Sequence, residues 1–352
     1  MSETTMMFAF LLAFVAAFAA TPGAKWLAGK INAIDVPKDG RRMHKKPIPR
    51  IGGLAIVVGF YAAVAIFCPI DKEIMGILVG ALILVALGMV DDTMALSAYL
   101  KFPLQIVAAV IPVLCGVNIA QLTLPNGGFI PLGVFSPVVT VLWIVAITNA
   151  VNLIDGLDGL AVGVSSIASL ALLVIAILRG DYVVAVMMAA LVGSCFGFFP
   201  YNFNPASIFM GDTGATFLGY ILAAISVQGV FKAYTVVSVI IPVLILGLPI
   251  FDTCSAIIRR LIHHKPIMAP DKSHLHHKLI DMGLSQRQAI LVIYSICILL
   301  GLSAIVISAS SPLKWMVFLI AIVAALVITM GTFKRVWNKQ AQSSSQEDED
   351  KK

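Results

Sequence analysis

The chain has 352 residues, 60% of them apolar and only 12% charged, with a formal net charge of +6. A soluble domain carries about a quarter charged residues and roughly 45 to 50% apolar ones, so a cytosolic enzyme, a disordered regulator and a secreted disulfide scaffold are excluded. With a mean hydropathy of +0.99, lipid is the solvent for most of the chain.

A bilayer-spanning helix needs about 20 apolar residues. Breaks at charged or Pro/Gly-rich stretches place eleven such segments at about 5–22, 51–70, 74–90, 102–122, 136–151, 157–178, 183–200, 208–227, 233–251, 289–309 and 313–333. All are expected to be helices, because a spanning backbone must satisfy its own hydrogen bonds and no alternating ten-residue barrel pattern appears. The expected fold is therefore all-α, a polytopic membrane bundle forming one domain over 1–333. The tail 334–352, ending SSSQEDEDKK, is polar and expected to be disordered. Cys68, Cys115, Cys195, Cys254 and Cys297 lie in or beside apolar runs without a CxxC pair and read as small hydrophobes.

Only Glu3 is charged before the first span, whereas Lys25 and Lys30 follow it, an order that predicts a retained helix with its N-terminus outside. Twenty of the 24 Lys and Arg residues fall in 23–50, at Lys101, in 252–288 and after 333, all on one side of the predicted spans. Only Lys72, Arg179, Lys232 and Lys314 fall on the other, so the crowded side, with the C-terminus, is expected to be cytoplasmic. The same asymmetry accounts for a pI of about 9.1 without any nucleic acid.

Six acids lie within or against apolar spans: Asp91, Asp92, Asp155, Asp158, Asp212 and Asp252. An Asp at the centre of a spanning helix costs about 2.5 to 3.5 kcal/mol, so such residues point to function. All six fall at the cytoplasmic ends of the predicted spans, which predicts one site assembled from several loops.

In GMVDDTMALSAYLKFPLQ, adjacent Asp91 and Asp92 repel unless a metal ion or a basic partner is near, and Lys101 opens the next span. A plain interfacial stop to the helix is the alternative. In NAVNLIDGLDGLAVG, Asn149, Asn152, Asp155 and Asp158 follow one another at spacings of three and offer hard oxygen ligands, although a tight turn would explain the glycines. In FPYNFNPASIFMGDTG, Asp212 between glycines begins a span whose free N–H groups suit an anion such as a phosphate, unless Asp212 is simply its N-cap.

The loop IIRRLIHHKPIMAPDKSHLHHKLIDMGLSQRQ carries five of the six histidines with Arg259, Arg260, Lys265, Lys272, Lys278 and Arg287. It has no HExxH or CxxC, and its basic crowding suits a polyphosphate better than zinc. A lipid-headgroup patch would explain the basic residues but not His274-Leu275-His276-His277. The strip Arg41 to Gly53 serves equally as an orientation signal or as a hold for an anionic lipid or substrate.

Hard-cation ligands, a polyphosphate-suited loop and a membrane setting together imply phosphoryl chemistry on a lipid. Over about 32–285, MHKKPIPRIGGLAI, the DD with Lys101, NLIDGLDGLA, FNPASIFMGDTG and PDKSHLHHKL occur in an order that resembles the polyprenyl-phosphate N-acetylhexosamine-1-phosphate transferases. Within them the chain is most similar to the bacterial undecaprenyl-phosphate GlcNAc-1-phosphate transferases of teichoic-acid and surface-polysaccharide pathways.

The resemblance implies transfer of GlcNAc-1-phosphate from UDP-GlcNAc to undecaprenyl phosphate in the bacterial plasma membrane, with release of UMP and use of Mg²⁺ or Mn²⁺. It implies Asn152 and Asp212 as metal ligands, and catalytic roles for Asp91, Asp92 and Lys101 on the acceptor side and for Asp155 and Asp158 on the nucleotide side. It implies substrate contacts from Asn149, Asn204, Arg259, His274, His276 and His277, with the histidine loop as a lid over the diphosphate. Lipid and the two substrates are the expected partners, together with a homodimeric association. A phosphate monoester is mostly dianionic at pH 7, so the acceptor needs no strong base, and Asp91 and Asp92 are expected to orient Lys101 and the cation.

Three rivals remain. The phospho-N-acetylmuramoyl-pentapeptide transferases resemble a run of three histidines followed by an acid, where this chain has His274-Leu275-His276-His277-Lys278. A cation-coupled transporter would place its acids near the midplane of repeated halves. A subunit without turnover would not need every motif acid.

Overall fold

A computed structural model of the chain describes residues 3–37, 46–123, 129–231, 240–264, 266 and 274–308. Its helices are α1 Glu3–Lys30, α2 Gly53–Phe67, α3 Lys72–Met94, α4 Ala98–Leu114, α5 Ser136–Ile154 and α6 Leu160–Arg179. They continue with α7 Tyr182–Asn202, α8 Gly211–Ser226, α9 Ile240–Ile245, α10 Gly247–Ile262, α11 Leu275–Asp281 and α12 Gln286–Ser308. Two short antiparallel ribbons, which hydropathy alone does not reveal, join them. They pair β1 Ile34–Asp35 with β2 Ile48–Pro49, and β3 Gln121–Thr123 with β4 Phe129–Pro131.

Among the described residues, six helices are long and apolar enough to cross a bilayer: α1, α3, α5 with the short turn before it, α6, α7 and α12. The apolar helices α2 and α4 are shorter. The protein is an all-α, multi-pass membrane protein. The expected span at 102–122 stops at Leu114, and Gly116, at φ +114°, helps turn the chain toward β3. The segment expected at 233–251 is broken at Leu246, and its second part runs on as α10 to Ile262, so Arg259 and Arg260 ride a helix and not a loop. Positions 232–239, the expected last span at 313–333 and the tail lie outside the described residues, as do Lys265 and Lys272.

Close helix packing rests on small residues, as it must where lipid gives no hydrophobic drive for association. Ala9, Ala13, Ala17, Ala24 and Ala28 form a buried stripe along α1. Gly59 of α2 and Gly193 and Gly197 of α7 lie against that helix, where an added Cβ would strike Ala13 O, Phe10 O and Phe14 O respectively. Phe60 and Phe217 pack edge to face, 5.6 Å apart, between α2 and α8. Cys68, Cys195 and Cys297 are buried free thiols in this apolar packing.

α8 is buried along nearly all its length against α2, α3 and α5. Gly80 leaves room for the Tyr220 hydroxyl, which donates to Ala108 O at 3.3 Å. The C-terminal ends of α3, α5 and α7 and the starts of α4, α6 and α8 meet at one end of the bundle. The end of α1 joins them through Arg50 N–H, which donates to Ala33 O at 3.0 Å.

Candidate active site

Three glycines bring separate chain segments to the start of α8. A Cβ at Gly88 of α3 would lie 2.5 Å from Thr213 Cα, and one at Gly53 would overlap the Gly214 backbone. Gly211 adopts φ +71°, a left-handed conformation that favours glycine, and a side chain there would also meet Arg50 O and the Asp92 carboxylate. The N–H groups of Gly52 and Gly53 donate to Phe209 O and Met210 O at 2.9 and 2.8 Å.

This approach gives Asp92 a partner other than Lys101. Its Oδ1 accepts from Asp212 N–H at 2.9 Å, and its Oδ2 accepts from Thr213 N–H at 3.0 Å and the Thr213 hydroxyl at 2.7 Å. The helix start expected to be open to a phosphate is thus occupied by a carboxylate of the protein. Asp212 is not the N-cap; it stands within the first turn of α8, its backbone fixed by Asp92.

Asp91 faces elsewhere. Its Oδ1 accepts Leu96 N–H at 2.6 Å, while its Oδ2 and Asp212 Oδ2 both lie 2.9 Å from Lys101 Nζ. One ammonium therefore bridges two carboxylates from different helices, Asp91 ten residues before it and Asp212 111 residues after it. The Asn152 side chain lines the same cavity as Asp212. Arg50 Nε stands 3.7 Å from Asp92 Oδ1.

That cavity, of about 920 Å³, is lined by Arg50, Asn152 and Asp212 together with Asp155, Asp158, Asn204, His277 and Gln286, among others; Asp91, Asp92 and Lys101 lie outside its lining. Asp155, just beyond the end of α5, is pushed up to about 8 by burial and then by the negative charge of Asp212 and Asp92. Asp158 holds the cavity floor: its Oδ2 accepts from Ala206 N–H at 3.0 Å and from Asn204 Nδ2 at 3.1 Å. Asn204 also donates to Gln286 Oε1 at 2.8 Å, and Arg287 Nη2 donates to Asn204 O at 2.8 Å.

The histidine segment reaches the cavity through α11. His277 lines it, while His274 and His276 are buried behind it. A Cβ on Gly156 would overlap His276 Nε2, so this glycine lets the loop Asp155–Asp158 pass beneath the imidazole. That Nε2 is buried without a hydrogen-bond partner among the described residues. Burial, then His277 and His274, push His276 down to about 4. Asn149 and Arg259 lie outside the cavity lining. Asn149 Nδ2 instead donates to Gln105 Oε1 at 2.6 Å and Val145 O at 2.8 Å.

Sequence reasoning missed Asn202, whose Oδ1 accepts Gly159 N–H at 3.1 Å and whose Nδ2 donates to Ile208 O at 3.0 Å, tying two cavity loops together. It also missed Gln286 and Thr213. A polar side chain closing an apolar helix, as Asn202 does, was the available signal.

Among the described residues no three His, Cys, Asp or Glu side chains form a closed metal cage. The donors fit a hard cation of another kind. Asp212 and Asn152 offer carboxylate and amide oxygens beside an open cavity, the arrangement that suits Mg²⁺ completed by substrate phosphates. The charge balance points the same way, since among the described residues the three carboxylates of Asp91, Asp92 and Asp212 face only Lys101 and Arg50. Such a surplus of carboxylates would repel a diphosphate without a divalent ion.

The family model described as glycosyl transferase family 4 matches residues 74–230. A probable undecaprenyl-phosphate N-acetylglucosaminyl 1-phosphate transferase of Bacillus subtilis (strain 168) is 43% identical over 308 residues, covering 86% of this chain and 85% of that protein. The decaprenyl-phosphate N-acetylglucosaminephosphotransferase of Mycolicibacterium smegmatis is 35% identical over 357 residues, covering 91% and 86%. A phospho-N-acetylmuramoyl-pentapeptide-transferase of Moorella thermoacetica is 30% identical over 297 residues, covering 77% and 88%.

Proposed function

The chain belongs to the polyprenyl-phosphate N-acetylhexosamine-1-phosphate transferases, within glycosyl transferase family 4, and on that premise we propose that it transfers GlcNAc-1-phosphate from UDP-GlcNAc to undecaprenyl phosphate, releasing UMP. The observation that carries this reading is the cavity where Asn152, Asp155, Asp158, Asp212 and His277 meet beside the Asp91–Lys101–Asp212 bridge. The product, undecaprenyl-diphospho-GlcNAc, then begins a cell-wall glycopolymer.

Asp212 and Asn152 would hold Mg²⁺, or Mn²⁺ in its place, which would supply positive charge for the donor's diphosphate. Asp92 sets Asp212 through the α8 backbone. Lys101, oriented by Asp91, screens the repulsion between the acceptor phosphate and the donor, which lets two anions approach in line. The acceptor's second pKa lies near 6, so it attacks as a dianion and Asp91 need not take its proton. Asp158 and Asn204 keep the nucleotide-side loop in place, and His277, backed by the buried His276, covers the diphosphate.

The site faces the cytoplasm of a bacterial plasma membrane, with Glu3 outside, eleven spans in one domain over 1–333 and the C-terminal tail inside. This follows the distribution of Lys and Arg. The segment His274-Leu275-His276-His277-Lys278 favours GlcNAc over the muramoyl-pentapeptide branch. Purified protein offered both nucleotide sugars with undecaprenyl phosphate should release UMP from UDP-GlcNAc. Release from the muramoyl-pentapeptide nucleotide alone would reject the assignment.

A further inference from the structure

Of the six acids singled out in the sequence, Asp252 is the one that neither lines the cavity nor joins the Asp91–Lys101–Asp212 bridge or the Asp92 contacts to the start of α8. It is nonetheless buried, at 4% exposure, and both its oxygens are committed. Oδ2 lies 2.8 Å from His274 Nδ1, and Oδ1 accepts Leu275 N–H at 2.9 Å. His274 precedes the first turn of α11 and makes no capping hydrogen bond of its own. Asp252 supplies that acceptor from α10, 22 residues earlier.

What hangs on this anchor is the arrangement of three rings. His274 and His276 stack nearly parallel, 4° apart with centroids at 5.9 Å, and His276 and His277 follow at 4.3 Å. The middle ring presses on Gly156, and the last lines the cavity. A carboxylate behind a histidine fixes both the ring's orientation and which nitrogen carries its proton.

We infer that Asp252 is the positioning residue of the histidine helix: it keeps the His274 proton on Nδ1 and docks α11, so that His277, backed by His276, meets the diphosphate–sugar end of the donor in one arrangement. This rests on the cavity being the sugar-nucleotide site. Asp252 touches no substrate itself.

Asp252→Asn separates the two roles. The amide oxygen still accepts Leu275 N–H, but its NH₂ faces His274 Nδ1 and forces the proton to the other nitrogen. In full-length protein, this variant should raise KM for UDP-GlcNAc about 10- to 100-fold, the size of effect seen on losing the partner behind a metal-ligating histidine, with KM for undecaprenyl phosphate within about twofold. His274→Ala should do the same, and the double variant should be no worse than either single one, because the two act as a unit. Unchanged KM values, a fall in kcat alone, or additive effects would overturn the inference.

Amide exchange over 274–281 in ligand-free protein reads the docking without any substrate. Asp252→Ala should lose protection there and nowhere else, and retained protection would also overturn the proposal. Wild-type protein that releases no UMP from UDP-GlcNAc would instead reject the assigned reaction, leaving the exchange result to decide the positioning.

Discussion

Replacing Asp92 by Asn tests whether this carboxylate acts as a base or as the latch of α8. Three donors converge on its two oxygens at 2.7, 2.9 and 3.0 Å. An amide keeps one oxygen for Asp212 N–H but turns an NH₂ toward Thr213, whose hydroxyl can rotate to accept while its N–H cannot. The charge and one backbone bond are lost, worth about 2 to 3 kcal/mol for a hydrogen bond to an ionised group. An Asp212 displaced by about 1 Å would lower turnover about 100-fold. UMP release followed from pH 6 to 9 should give a profile of wild-type shape, scaled down throughout, together with a lower thermal midpoint in detergent. Activity restored to the wild-type level at alkaline pH, as the acceptor's own ionisation replaced a missing base, would refute the latch.

Asp212→Ala should abolish divalent-dependent turnover and also the rise in thermal midpoint on adding Mg²⁺ to substrate-free protein; a preserved Mg²⁺ shift would remove Asp212 from the ligands. Gly156→Ala puts a Cβ into His276 Nε2 and should cost about 1 to 3 kcal/mol of overpacking, read as a weaker KM for UDP-GlcNAc. In the folded protein His276 titrates near 4 instead of 6.5, so the unfolded chain binds the extra proton first. Its effect on stability is absent above about pH 6.5 and grows unfavourable as pH falls toward 4, so in melts with EDTA His276→Asn should gain on wild type across that window. Asp155, titrating near 8 instead of 3.8, has the opposite sign: Asp155→Asn should gain on wild type as pH rises from about 4 to 8. A flat difference curve for either variant contradicts its assigned burial.

The all-helical membrane class and the gathering of distant acids at one end were legible because charge in an apolar run is costly and therefore meaningful. Partners were not. Asp91 and Asp92 are adjacent, but successive helical residues point about 100° apart, so one meets Lys101 and the other the start of α8. Asn149 and Asn152 differ by three positions, yet only Asn152 lines the cavity while Asn149 bonds Gln105. Hydropathy also placed helix ends poorly. The α1 helix passes Pro22 and continues to Lys30, because Ala24 and Ala28 still pack, and α4 stops well before its apolar run does. Asp252 stood out as an expensive acid, but its histidine lies 22 residues away and no spacing rule links them.

The central claim is transfer of a sugar 1-phosphate, not of a sugar. UDP-GlcNAc carrying ³²P in the β-phosphate separates the two when incubated with the purified protein, undecaprenyl phosphate and Mg²⁺, with an EDTA control. The account predicts label in the butanol-extractable lipid, unlabelled UMP in equal amount, and neither with EDTA. Label left in UDP while GlcNAc moves to lipid, or no transfer at all with Mg²⁺ present, would contradict it.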